Sequence, residues 1–176
     1  YVELTTLQLN KILEINICKA IEINVEKIYA LFKLNNEDDQ LNSLKKIILN
    51  SIRYEISQNL IPVLFTSRKI ICHSDENDLI NFNNYLSVFI AEIVSEIRNE
   101  IGYLISKGGV TTNYILSKGF NADKVYLEGQ ILPGISLVTL DIPNKKDKLP
   151  IVTFPGNIGN EIALVKVLEI LENKIF

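Results

Sequence analysis

The chain has 176 residues, 47% of them hydrophobic, and a formal net charge of −3 at pH 7, which is enough apolar content for one well-cored domain. Mixed charge without a basic block excludes an electrostatic nucleic-acid binder or a membrane-surface binder, but leaves room for a small anionic ligand held by local groups. No apolar run approaches the roughly 18 residues of a membrane span and no signal-peptide pattern opens the chain, so a cytoplasmic protein is expected.

In chain order, Tyr1–Leu4 reads as the tail of a strand. Thr5 and Thr6 are N-cap candidates for a helix whose apolar stripe is Leu9, Ile12 and Leu13. Ala20–Val25 alternates in the manner of a half-buried strand, and Val25, Ile28, Tyr29 and Phe32 then take helical spacing. The acidic run Asn35–Gln40 is read as a solvated loop, since adjacent short side chains cannot all face one metal ion. Leu41–Leu60 is a helix with Leu44, Ile47, Ile48 and Ile52 on one side, and Ile61–Phe65 is a buried strand ending at Thr66-Ser67-Arg68. Strand C-termini are where open α/β sheets gather ligand groups, which marks these three residues. His73, in a polar loop with no nucleophile beside it, reads as surface. Cys18 and Cys72 are too few and too isolated for a disulfide framework or a zinc site.

Asn77–Ile101 is the longest predicted helix, and its stripe of Phe82, Leu86, Phe89, Ile90, Ile93 and Ile97 is core spacing. Tyr103–Ser106 is a strand, with a helix to about Ser117 and a stop at Lys118-Gly119. Asp123–Gln130 and Ser136–Leu140 read as strands around a tight turn, Asn144–Lys148 as a charged loop, Ile151–Phe154 as a strand and Glu161–Glu172 as the closing helix. A mostly βαβα order with late extra strands predicts an α/β fold with a mixed, largely parallel sheet and helices on both faces.

Three glycine turns fall in the C-terminal part: Lys107-Gly108-Gly109-Val110-Thr111-Thr112, Gly129–Gly134, and Pro155-Gly156-Asn157-Ile158-Gly159. The first and third have a strand, turn, helix layout that frees backbone N–H groups at a helix start and favours an anion there. Thr111 and Thr112 are candidate helix caps or hydroxyl donors, and Lys107 supplies charge. The pattern is neither a Walker A motif nor a dinucleotide fingerprint, and glycines serving only as hairpin and cap residues explain it almost as well as a phosphate-bearing ligand does.

Taken in order, these turns resemble the C-terminal nucleotide-binding domain of the four-carbon acid sugar kinase family. The motifs are Gly-Gly-x-Thr at Gly108–Thr111, a glycine-to-proline hairpin at Gly129–Ser136, and Gly-Asn-Ile-Gly at Gly156–Gly159. Thr5-Thr6-Leu7-Gln8-Leu9 resembles the Thr-x-x-Gln opening of that domain, and Thr66-Ser67-Arg68 its Thr-Ser-Arg strand end. The resemblance covers Tyr1 to about Leu171. It implies that residues 1–176 are the nucleotide-binding part of a two-domain kinase that phosphorylates threonate-, erythronate- or oxo-tetronate-type acids with ATP and Mg²⁺. The sugar acid and the catalytic base would belong to an N-terminal domain absent from this sequence, so this chain alone is expected to be inactive. The implied nucleotide contacts are Gly108, Gly109, Val110, Thr111, Gly156, Asn157 and Gly159, with no metal ligand assigned.

Three departures stand out within this resemblance. Val110 takes a place where many members have an acidic residue, and Lys107 replaces a small hydroxyl residue; Ser136 stands where proline is usual. Val110 keeps a second reading open, a non-catalytic nucleotide-binding or regulatory module. A homodimer is compatible with either. The absence of any Met leads to the expectation that the chain is a fragment, or that residues are missing from it.

Overall fold

The computed structural model describes residues 3–34, 38–68, 75–143 and 145–175. Along the chain run α1 (Glu3–Leu13), β1 (Cys18–Ile23), α2 (Val25–Leu34), α3 (Asp38–Ser57), β2 (Ile61–Thr66) and α4 (Glu76–Ile97). They are followed by β3 (Leu104–Lys107), α5 (Gly109–Tyr114) with a π-helical turn at Ile115–Gly119, β4 (Tyr126–Leu132), β5 (Ile135–Leu140), β6 (Leu149–Phe154) and α6 (Ala163–Ile175). The mixed α/β class expected from the sequence is what forms. β1 and β2 pair in parallel, while the second sheet has the order β3-β6-β5-β4, with β3 parallel to β6 and the remaining pairs antiparallel.

Strand alternation sorts the core into two layers, because successive side chains point to opposite faces. Ile105, Val152, Phe154 and Leu137 pack toward α1 and α6 with Leu9, Leu164 and Val167. Their neighbours Leu104, Ile151 and Val138 face the opposite side, where Ala91, Val94, Ile115 and Phe120 supply the cover. In the two-stranded sheet Ile21, Ile23 and Leu64 pack against the stripes of α2, α3 and α4, and Val63 and Phe65 turn to the α1–α6 side. Helices therefore cover both faces. Asp75 caps α4, its carboxylate accepting from the Asp78 N–H at 2.8 Å.

Three local readings change. α1 begins at Glu3, so Leu4 is helical, and Thr5 and Thr6 sit inside the first turn of α1 and not before it. β6 begins at Leu149, two residues earlier than its β-branched run, because Leu149 and Pro150 pair with Leu140 and Thr139 across the β5–β6 ladder. The capping role predicted for Thr111 and Thr112 falls to Gly108. Tyr1, Cys72, His73 and part of the Asn35–Gln40 loop lie outside the described residues.

The π-helical turn lets Gly119 lie directly on α4. A Cβ there would stand 2.7 Å from the Ala91 carbonyl oxygen, a backbone atom inside a helix that cannot rotate away. Gly119→Ala is expected to cost about 2 kcal/mol through overpacking. Urea denaturation at pH 7 measures it, and an unchanged midpoint would mean that α4 and the turn separate freely.

Candidate functional site

β3 and β6 are adjacent and parallel, with Lys107 opposite Phe154. Because each strand ends in a glycine turn, the two turns leave the same edge of the sheet side by side. The Gly108 N–H donates to the Phe154 carbonyl at 2.8 Å, extending the ladder one step into the first turn. Gly108 then adopts φ 104° as the N-cap of α5. The first helical bond runs from the Thr112 N–H to the Gly108 carbonyl, so the N–H groups of Gly109, Val110 and Thr111 lie ahead of the helical ladder.

Thr112 is buried and works inward. Its Oγ1 lies 2.8 Å from both the Ser106 Oγ and the Gly108 carbonyl oxygen, which fastens the turn to the end of β3. Thr111 is half-buried and Val110 is 62% exposed. A Cβ at Gly109 or at Gly156 would meet no tertiary neighbour within 4 Å. Bare backbone therefore borders open space at both turns, the shape a close-approaching anion needs.

The second turn is held from below by α1. Gln8 is fully buried, and its Nε2 donates to the Ile158 carbonyl at 3.1 Å and the Asn160 carbonyl at 2.7 Å. Two acceptors on one nitrogen decide the orientation of that amide, leaving Oε1 buried without a protein partner among the described residues. The Thr5 hydroxyl donates to the Gly156 carbonyl at 3.0 Å. Thr-x-x-Gln is thus a clamp, with both polar side chains separated by one helical step and set on the same turn. Gly159 follows at φ 81°, and Asn157 is exposed.

The hairpin between β4 and β5 closes on the same place. The Cβ position of Gly134 lies 3.3 Å from the Ile158 side chain, and Ile131 and Leu132 share its apolar cluster. All three glycine turns and the start of α1 therefore converge at one end of the four-stranded sheet. Thr66-Ser67-Arg68 closes β2, a strand of the two-stranded sheet and not of the four-stranded one. Ser67 donates its N–H to the Ile23 carbonyl at 2.9 Å and accepts the Val25 N–H at 3.0 Å, joining the end of β2 to the start of α2. Ser67 and Arg68 line a cavity of about 530 Å³ with Glu22, Asn24 and Glu26.

Lys107 departs from its simplest reading. Rather than extending over the first turn, its ammonium crosses to the second and donates to the Pro155 and Gly156 carbonyls at 3.1 and 3.3 Å. The sequence displays Lys107 only as a charge next to glycine, and no local pattern signals the crossing. Cys18 offers no chemistry here, since burial pushes its thiol up to about 11 and only the thiolate is reactive. Among the described residues no three His, Cys, Asp or Glu side chains gather as a metal site, and no helix is long and apolar enough to cross a membrane.

The sequence model described as the nucleotide-binding C-terminal domain matches residues 1–164. No curated protein matches the sequence. Among solved structures, a domain of unknown function (DUF1537) from Bordetella bronchiseptica, a domain-swapped dimer with bound citrate, superposes with a TM-score of 0.67 at 11% identity, covering 93% of this chain and 37% of that one. A Salmonella typhimurium LT2 protein provisionally named a tRNA synthase gives a TM-score of 0.68 at 11% identity, with 93% and 37% covered. At such identity these likenesses establish the fold alone, and the chain spans little more than a third of the length of either structure. The family match over most of the chain makes the assignment: the chain belongs to the nucleotide-binding C-terminal domain family.

Proposed function

We propose that this chain is the ATP-binding part of a kinase that transfers the γ-phosphoryl group of ATP to a hydroxyl of a four-carbon acid sugar. One observation carries the reading: two glycine turns with open space above their backbones stand side by side at the C-terminal ends of parallel neighbours β3 and β6. Bare N–H groups at Gly109, Val110 and Thr111 and the turn at Gly156, Asn157 and Gly159 suit polyphosphate oxygens, which accept from backbone donors at close range. Mg²⁺ would enter on the phosphate oxygens, since neither turn carries a carboxylate. When bound, ATP and its metal supply the transferable phosphoryl group. This chain orients the phosphates and keeps them at the sheet edge, so that catalysis rests on positioning and charge neutralisation.

The sugar acid, its recognition groups and the base that takes the hydroxyl proton belong in this proposal to an N-terminal domain. The limited share of the solved relatives that the chain covers supports that division. Homodimer formation is part of the same reading, in line with the dimer of the Bordetella protein. The exposed Val110 at the first turn favours one alternative, a nucleotide-binding module without catalysis.

The test is calorimetric titration of ATP–Mg²⁺ into the protein and into Gly109→Val. Binding in the micromolar to millimolar range is expected, with a loss of roughly tenfold or more in the variant. The fold should hold, because the added Cβ enters open space, with no tertiary neighbour within 4 Å. Equal affinity in a folded variant would remove the nucleotide from the Gly108 turn. Sugar-acid phosphorylation by the full two-domain protein, absent in the regulatory alternative, separates the two readings.

A further inference from the structure

Lys107 ends β3, and its side chain lies across the Phe154 ring with Nζ 4.2 Å from the centroid. An ammonium has three donors and a full charge. The Pro155 and Gly156 carbonyls take two of the donors, and the aromatic face adds a quadrupole attraction, but none of these groups carries a negative charge. Lys107 is in none of the ion pairs Lys11–Glu14, Lys33–Asp78, Lys45–Glu92 and Arg53–Glu100 found among the described residues. A half-buried cation therefore stands between two glycine turns with one donor and its charge uncompensated. Burying a charge is costly unless it is paired, and an apolar chain of similar length would join the turns without that cost.

We propose that Lys107 is the anion receptor of the site, its remaining N–H and its charge taking a phosphate oxygen held between the Gly108 and Gly156 turns. The nucleotide reading above supplies only the identity of the ligand, a polyphosphate; the geometry by itself calls for a phosphate-class anion. A consequence is pH dependence. Burial alone pushes the ammonium down to about 8, and no titratable group of β3, β6, α5 or the flanking turns acts on it. In the free protein the receptor charge is present below about pH 8 and is lost above it. A bound phosphate favours the charged form and raises that pKa again. Affinity therefore falls as pH rises from 7 to 9.

The experiment titrates ATP–Mg²⁺ and, separately, inorganic pyrophosphate into the protein and into Lys107→Met at pH 7 and pH 9. The Lys107 pKa is followed by NMR of the labelled lysine. Lys107→Met should weaken both probes by roughly tenfold or more, abolish the decline between pH 7 and 9, and leave the melting temperature unchanged or raised, because a penalised charge is removed. Pyrophosphate should raise the Lys107 pKa in the parent protein. Unchanged affinity in Lys107→Met, with a lowered melting temperature, would overturn the proposal and leave Lys107 a structural strap. If ATP binds equally to both proteins, the nucleotide reading stands and the receptor falls. If pyrophosphate binds and moves the Lys107 pKa but ATP binds no more tightly, the receptor stands and the nucleotide reading falls. Binding of neither probe overturns both.

Discussion

Replacing Gly159 with alanine is expected to cost about 2–5 kcal/mol, the sum of left-handed backbone strain and overpacking. Gly159 sits at φ 81°, and a Cβ there would lie 2.5 Å from the Cβ of Ala163. Ala163 has no rotamer with which to yield. It is 5% exposed and packed with Phe154 and Val167 at the start of α6. The turn itself must move, and with it the Ile158 and Asn160 carbonyls that Gln8 holds. Urea denaturation measures the effect. Gly156→Ala is the matched control, because its Cβ enters open space, and it should stay within about 0.5 kcal/mol of the parent. Equal midpoints for the two variants would show that the turn is loose and that its geometry is not what the fold maintains.

Gln8→Leu should have the second-largest effect. The change removes both donors to the second turn and leaves two carbonyls facing an apolar side chain at a fully buried position. Each lost partner costs on the order of 1–3 kcal/mol, offset in part because the unpartnered Oε1 also disappears, so a net loss of about 2–4 kcal/mol is expected. Nucleotide affinity should fall with it, since the turn loses its support from α1. Gln8→Glu sharpens the test. An ionised carboxylate has no donor for the two carbonyls, whereas the protonated acid has one. Its folded-state pKa is therefore raised above the ordinary glutamate value, and the variant should be least impaired in acid and lose stability as the pH rises through that pKa. A variant whose stability relative to the parent does not change between pH 4 and 7 would refute the clamp.

Much of this architecture was legible locally. The alternation at Ile21 and Ile23 and the stripe from Phe82 to Ile97 follow directly from which face of a strand or helix is buried. Thr5 and Thr112 leave their expected capping roles for one reason. A threonine ahead of a helical stripe is a good cap in isolation, but Thr5 instead donates across the chain to Gly156, and Thr112 is drawn inward by the end of β3. The extra length of β6 has the same origin, since Leu149 and Pro150 have no strand signal of their own and are held by pairing with β5.

Alone, the sequence determined the α/β class, the order of elements from α1 onward, the glycine turns and, through their motifs, the family, because periodicity and turn chemistry are properties of neighbouring residues. Tertiary structure decided the rest. β3 and β6 are distant in sequence, yet their parallel pairing sets two turns side by side, and the β4–β5 hairpin and Gln8 close on the same place. The crossing of Lys107 depends on that pairing too, since its carbonyl partners belong to the neighbouring strand's turn. Local patterning dictates which face of a strand is apolar, but the neighbour of each strand is chosen by how the layers pack, and a site built between strands exists only after that choice.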